Sequence, residues 1–140
     1  MRSNQMIKKL TVQEIARMSR LDDNVESFFP CDKGEWIQFL IKNVEHPNLF
    51  IWGDVVGNTI KAYAVAINSV QPPLSNSVTL LMHYSNNAFD STMALKEELN
   101  KWAKEKGAKR VLFIVNTESD MTSRLKFGVE QKGILGGWDI

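Results

Sequence analysis

The chain has 140 residues, 17 basic against 16 acidic, two His and a single Cys, and 44% of it is hydrophobic. That size suits one domain, and the composition excludes wholesale disorder. A net charge of +1 gives no bulk pull toward nucleic acid or an anionic membrane.

Cys31 has no second thiol to pair with, and no Cys/His group has zinc-ligand spacing, so neither an internal disulfide nor a bound metal is expected. The start, MRSNQMIKKL, lacks the apolar core of a signal peptide. The longest apolar stretches, Ala62–Ile67 and Val111–Val115, are far too short to span a bilayer. No repeat or Pro/Gly/Ser linker divides the chain, so residues 1–140 read as a single domain in a reducing, cytoplasmic compartment.

In chain order, Met6–Thr11 predicts a first strand, and Val12–Arg20 a short helix with Val12, Ile15, Ala16 and Met18 on one stripe. Leu21–Gly34, rich in Asp, Asn and Ser with Pro30, reads as loop. Glu35–Val44 sets Trp36, Ile37, Leu40, Ile41 and Val44 at helical spacing, and Pro47 ends that helix by restricting the residue before it. Leu49–Val56 and Thr59–Val70 are β-branched and aromatic, joined by Gly57-Asn58 as a tight hairpin. Apolar residues on both faces of the second run predict a sheet covered on two sides. Pro72-Pro73 marks a loop, and Ser77–Ser85 the next strand, antiparallel to its predecessor.

Ser91–Lys106 carries the clearest helical pattern: Leu95, Leu99, Trp102 and Ala103 form one face, with Glu97 and Lys101 in the favourable i, i+4 order on the other. Gly107 is a natural stop. Val111–Val115 is an unbroken apolar strand, so Ser77–Val115 reads as a strand–helix–strand crossover between parallel strands. A short helix over Ser119–Phe127 and a terminal strand within Val129–Ile140 complete the chain.

This order of elements, together with the phrase Trp102-Ala103-Lys104-Glu105-Lys106-Gly107-Ala108-Lys109-Arg110-Val111-Leu112, resembles the GNAT N-acetyltransferase superfamily. By element order the resemblance covers nearly the whole chain. By local wording it covers Ser91–Val115 and, more weakly, Arg124–Val129. It implies an α/β fold with a mixed, mainly antiparallel sheet in the order β-α-α-β-β-β-α-β-α-β, helices on both faces, and acetyl-CoA as cofactor. The family usually ends in two strands, whereas after Gly133 this chain has room for one, or for two very short ones, so a fold lacking the last strand is one of the two endings the resemblance allows. The edge left open would suit a second copy in a homo-oligomer.

The resemblance also implies a set of site residues. The family holds the pyrophosphate at the N-terminus of the long helix, in a Q/R-x-x-G-x-G/A loop, because unpaired N–H groups and the helix dipole attract anions there. The matching stretch is Asn87-Ala88-Phe89-Asp90-Ser91-Thr92, with no glycine between Gly57 and Gly107. Asp90 is expected to cap the helix, placing a carboxylate where a polyanion should arrive, while Ser91 and Thr92 can still donate to a phosphate. Met82 falls where the family's backbone N–H contacts the thioester carbonyl. His83, with an imidazole suited to a general base, and Tyr84 are the catalytic candidates. Arg124 occupies the position of the family's proton-donating tyrosine, which arginine cannot replace, although it can pair with an anion. Asn116 and Thr117 fall where the family often has a cofactor-contacting Asn.

Two charged groups cancel in the net sum. Asp22, Asp23, Glu26, Asp32 and Glu35 stand against only Lys33 in the front loop; in the resembled fold this region helps shape the acceptor side, which implies a cationic small-molecule amine or a basic peptide as acceptor. Lys101, Lys104, Lys106, Lys109 and Arg110 read as the wet end of the helix, without nucleic-acid binding. There is no nucleophile elbow, Gly-rich NTP loop or paired-His motif, and Cys31 reads as an idle thiol. Two functions follow from this sequence: an acetyl-CoA-dependent N-acetyltransferase working by direct attack of an amine, or a catalytically inactive protein of the same fold serving as a binding or assembly module.

Overall fold

The computed structural model describes residues 6–17, 32–57, 59–85 and 89–113. Strand β1 (Ile7–Lys9) leads into helix α1 (Val12–Ala16). Thr11 does not extend the strand, as expected from sequence, but caps the helix: its side chain accepts from the Glu14 N–H, and the Glu14 carboxylate accepts from the Thr11 N–H in return. This reciprocal capping box satisfies two backbone donors that a helix start leaves open.

Helix α2 (Lys33–Lys42) starts earlier than its apolar spacing predicts, because Asp32 caps it by accepting from the Glu35 N–H at 2.7 Å. Lys33 and Gly34, expected in the loop, therefore belong to the helix, and of the acidic front loop Asp32 is a cap. The remaining loop positions, 21–31, lie outside the described residues.

Strands β2 (Leu49–Val56), β3 (Thr59–Ser69) and β4 (Ser77–Ser85) form an antiparallel meander, and β5 (Arg110–Phe113) joins β4 in parallel after helix α3 (Phe89–Glu105). With β1 antiparallel to β2, the sheet order is β1-β2-β3-β4-β5. This is the expected mixed, mainly antiparallel α/β sheet. The Gly57 turn adopts φ +60, which a residue without Cβ enters freely. Gly107, at φ +81, ends α3 in a Schellman arrangement, with the Ala108 N–H reaching back to the Ala103 carbonyl at 2.9 Å. The expected helix over Ser119–Phe127 and the strand within Val129–Ile140, with the question of a missing last strand, lie outside the described residues.

Alternation along the strands divides the core between the two faces of the sheet. Leu49, Ile51, Val55, Tyr63 and Val65 pack with Ile15, Trp36 and Leu40 on the α1/α2 side. Phe50, Ala62, Ala64, Ala66 and Val78 pack with Leu95, Leu99 and Ala103 on the α3 side. The alanine row on β3 explains how α3 lies against the middle of the sheet: three methyl groups leave room that larger side chains would fill. At the C-terminal end of α3, Trp102 packs on Phe50 with ring centroids 5.6 Å apart.

Candidate active site

The site is built where β4 leaves the sheet and α3 begins. Along β4 the partner of Val65 is Met82, while the partner of the next β3 residue, Ala66, is Leu80. Leu81 is thus an extra residue, and the strand bulges there. The bulge resets the alternation, so Leu81 and Met82 both pack on the α1/α2 side. Beyond it, Met82–Ser85 continues toward the start of α3. Among the described residues, the pairing of β4 with β5 runs from Ser77↔Arg110 to Leu80↔Phe113 and ends level with the bulge.

The register then places His83 opposite Ala64, on the α3 face, and Tyr84 opposite Tyr63, on the other. His83 Nε2 lies 3.3 Å from Thr92 Oγ1 in the first turn of α3. Tyr84 stacks near Tyr63 with ring centroids 6.2 Å apart, and Trp36 Nε1 donates to the Tyr63 hydroxyl at 3.4 Å. The two catalytic candidates are therefore neighbours in sequence on opposite sides of the sheet. Only His83 reaches the α3 start.

The first turn of α3 holds a second polar contact that sequence reasoning missed. Asp54, on β2, is fully buried. Its Oδ2 accepts a hydrogen bond from the Ser91 hydroxyl, and its Oδ1 accepts from the Met6 N–H at 3.1 Å. Ser91 is also fully buried, and its hydroxyl, which the sequence offered as a donor to a phosphate, is directed at Asp54. Two signals were present. Asp54 is the lone acid of the run Leu49–Val56, and Ser91 continues the spacing-four stripe Leu95, Leu99, Ala103 as its one polar member.

Asp90 departs from expectation as well. The helix begins at Phe89, so Asp90 sits exposed inside the first turn and not at the cap. Its carboxylate is still at the positive end of the helix dipole, where negative charge is favoured. Met82 and Thr92 are half-buried on either side of this junction. Asn87, Asn116, Thr117 and Arg124 lie outside the described residues. Among the described residues no group of three or more His, Cys, Asp or Glu is arranged to hold a metal, and no helix is long and apolar enough to cross a membrane.

Solved structures share this architecture over almost the full chain. An aminoglycoside acetyltransferase, meta-AAC0020, from an uncultured soil metagenomic sample and in complex with sisomicin, superposes with a TM-score of 0.72 at 14% identity, covering 98% of this chain and 97% of its own. The chain has the fold of the GNAT acetyltransferases. AAC(6')-Iy, in complex with the bisubstrate analog CoA-S-monomethyl-acetylneamine, gives a TM-score of 0.74 at 11% identity, covering 99% of each chain. A ribosomal-protein-alanine N-acetyltransferase from Brucella melitensis biovar Abortus 2308 gives 0.65 at 11%, covering 97% of each. No protein-family profile matches the sequence, and no curated protein matches it. The GNAT fold is thus carried here by a sequence that shares 11–14% identity with these neighbours.

Proposed function

We propose that this protein transfers an acetyl group from acetyl-CoA to the nitrogen of a small-molecule amine. The observation that carries the reading is the junction itself: the bulged end of β4 and the first turn of α3 converge, with His83 set between them by Thr92. The GNAT-fold neighbours add support, being acetyltransferases whose described ligands include an aminoglycoside and a CoA bisubstrate analog.

The residues present suit the cofactor in their backbone and less so in their side chains. The first turn of a 17-residue helix offers N–H groups and a favourable dipole to a pyrophosphate. Against this stand the exposed Asp90 carboxylate and the commitment of the Ser91 hydroxyl to Asp54. The N–H groups of Asp90, Ser91 and Thr92 would hold the phosphates, and the Met82 N–H would meet the thioester carbonyl. Acetyl-CoA supplies the activated acyl group as a thioester. Attack by the amine nitrogen would form the new C–N bond as the C–S bond breaks, and the sulfur would leave as thiolate. His83, its ring oriented by Thr92, takes the proton the nitrogen loses.

One observation favours a second reading. The Asp90 carboxylate in the first turn of α3 opposes an arriving polyanion, which suits an inactive GNAT-fold protein that binds or assembles without CoA. Calorimetry with CoA and a thiol-release assay with acetyl-CoA and an aminoglycoside panel separate the two. Saturable CoA binding with amine-dependent thiol release supports the transferase. No binding at millimolar CoA overturns it in favour of the binding module.

A further inference from the structure

Helix α3 is fastened to the sheet by different chemistry at its two ends. Toward the C-terminus the contacts are apolar: Leu95, Leu99 and Ala103 lie on the β3 alanines, and Trp102 lies on Phe50. At the N-terminus the same buried stripe presents Ser91, and the surface it meets presents Asp54. Apolar contact is non-directional and lets a helix slide or rotate by small amounts. A hydroxyl–carboxylate hydrogen bond is directional and strong, and more so away from water.

Asp54 is itself pinned. Its second oxygen accepts the Met6 N–H, so one buried carboxylate joins the entry of β1, the bulged end of β2 and the start of α3. Register places Asp54 opposite Ala62, and the next row on that face runs Trp52, Ala64, His83. The first turn of α3 is therefore held from both flanks of β3. Ser91 reaches to Asp54 on β2, and Thr92 lies against His83 on β4.

We propose that Asp54 is a positioning residue that, through Ser91, fixes the first turn of α3 and so sets the direction in which its N–H groups face the cofactor phosphates. Asp54 is fully buried and acts only through the helix. This rests on the acetyl-CoA reading above, and the experiment is chosen to separate the two.

Hydrogen exchange is measured at Met93, Ala94 and Leu95, whose N–H groups bond to the carbonyls of Phe89, Asp90 and Ser91, and CoA affinity is measured by calorimetry. Ser91→Ala is expected to speed exchange at these three amides at least tenfold relative to those at Leu99–Ala103, and to weaken CoA binding at least fivefold. Asp54→Asn, which turns an amide NH2 toward either the Ser91 hydroxyl or the Met6 N–H, is expected to speed the same three amides. Leu99→Ala is the control for simple loss of stability: it lowers the melting temperature and leaves CoA affinity unchanged. Exchange that rises equally along the whole helix in both variants overturns the proposal. So does an unchanged CoA affinity in Ser91→Ala, or a loss of affinity in Leu99→Ala matching that of Ser91→Ala. If the native protein does not bind CoA, the transferase reading fails, and the exchange pattern alone decides whether Asp54 fixes the turn.

Discussion

Replacing Ala64 by leucine tests whether the alanine row on β3 sets the position of α3. Ala64 is 3% exposed, sits between Trp52 and His83 in the sheet, and packs in the cluster that contains Leu95 and Leu99. Leucine would insert a branched side chain into a space that holds one methyl group, and overpacking of this kind costs about 1–3 kcal/mol. A domain of this size loses roughly 3–4 °C in Tm per kcal/mol, so a fall of about 3–12 °C is expected. The helix relieves the clash by moving away from β3, which lengthens the Ser91–Asp54 and Thr92–His83 contacts and couples the stability loss to the site. Thermal unfolding followed by circular dichroism measures the shift, with urea titration to confirm that the m-value is unchanged. The comparison is Lys61→Leu, an exposed position on the same strand, where the change should stay within about 0.5 kcal/mol. A variant at Ala64 as stable as native, or no worse than the one at Lys61, would refute the packing argument.

Gly53→Ala is expected to destabilise by about 1–3 kcal/mol, the range for overpacking, because an added Cβ would lie 2.9 Å from the Ala62 carbonyl oxygen and 3.0 Å from Leu10 Cδ2; an unchanged urea midpoint would show that the strands part freely there. Burial works to raise the Glu14 carboxyl, but the Thr11 N–H, the Lys8 ammonium and the Thr11 hydroxyl donate to it, and with the Lys8 charge they hold it below its ordinary 4.5. A lowered folded value means that Glu14 stabilises fully above that ordinary value, and that the contribution is lost as pH falls through the folded one. The stability gap between native and Glu14→Gln should accordingly be constant near pH 7 and shrink under acid conditions; a gap that persists unchanged at pH 3 contradicts this. Asp90→Asn removes a negative charge from the first turn of α3 while keeping the side chain's shape. Two like unit charges about 4 Å apart in water repel by about 1 kcal/mol, so CoA affinity should improve by up to roughly fivefold at low salt, and calorimetry showing no gain would place the phosphates elsewhere.

Much of this architecture was legible in the sequence because it depends on periodicity. The alternation of β3, the stripe on α3 and the turn glycines at 57 and 107 are local signals with local causes, and they gave the order of elements and the covered sheet. Thr11 and Asp32 show the limit of that approach: both are polar residues at apparent element edges, and only the helix geometry reveals that each accepts from a backbone N–H three residues on. A capping residue and an ordinary loop residue differ in where the chain turns, and composition alone does not show that turn.

The site divides along the same line. By itself the sequence determined that a long amphipathic helix follows a strand ending in Met82-His83-Tyr84-Ser85, that its start lacks glycine, and that it carries an acidic residue at Asp90. These are facts of order and chemistry within one segment. The tertiary structure alone decided that His83 faces the helix while Tyr84 faces away, because the bulge at Leu81 shifts the alternation by one residue. It alone joined Asp54 to Ser91 across 37 positions of chain. A buried carboxylate is tolerable only with donors aimed at it, and the Met6 N–H before β1 and the Ser91 hydroxyl on α3 lie beside Asp54 only once the sheet has formed.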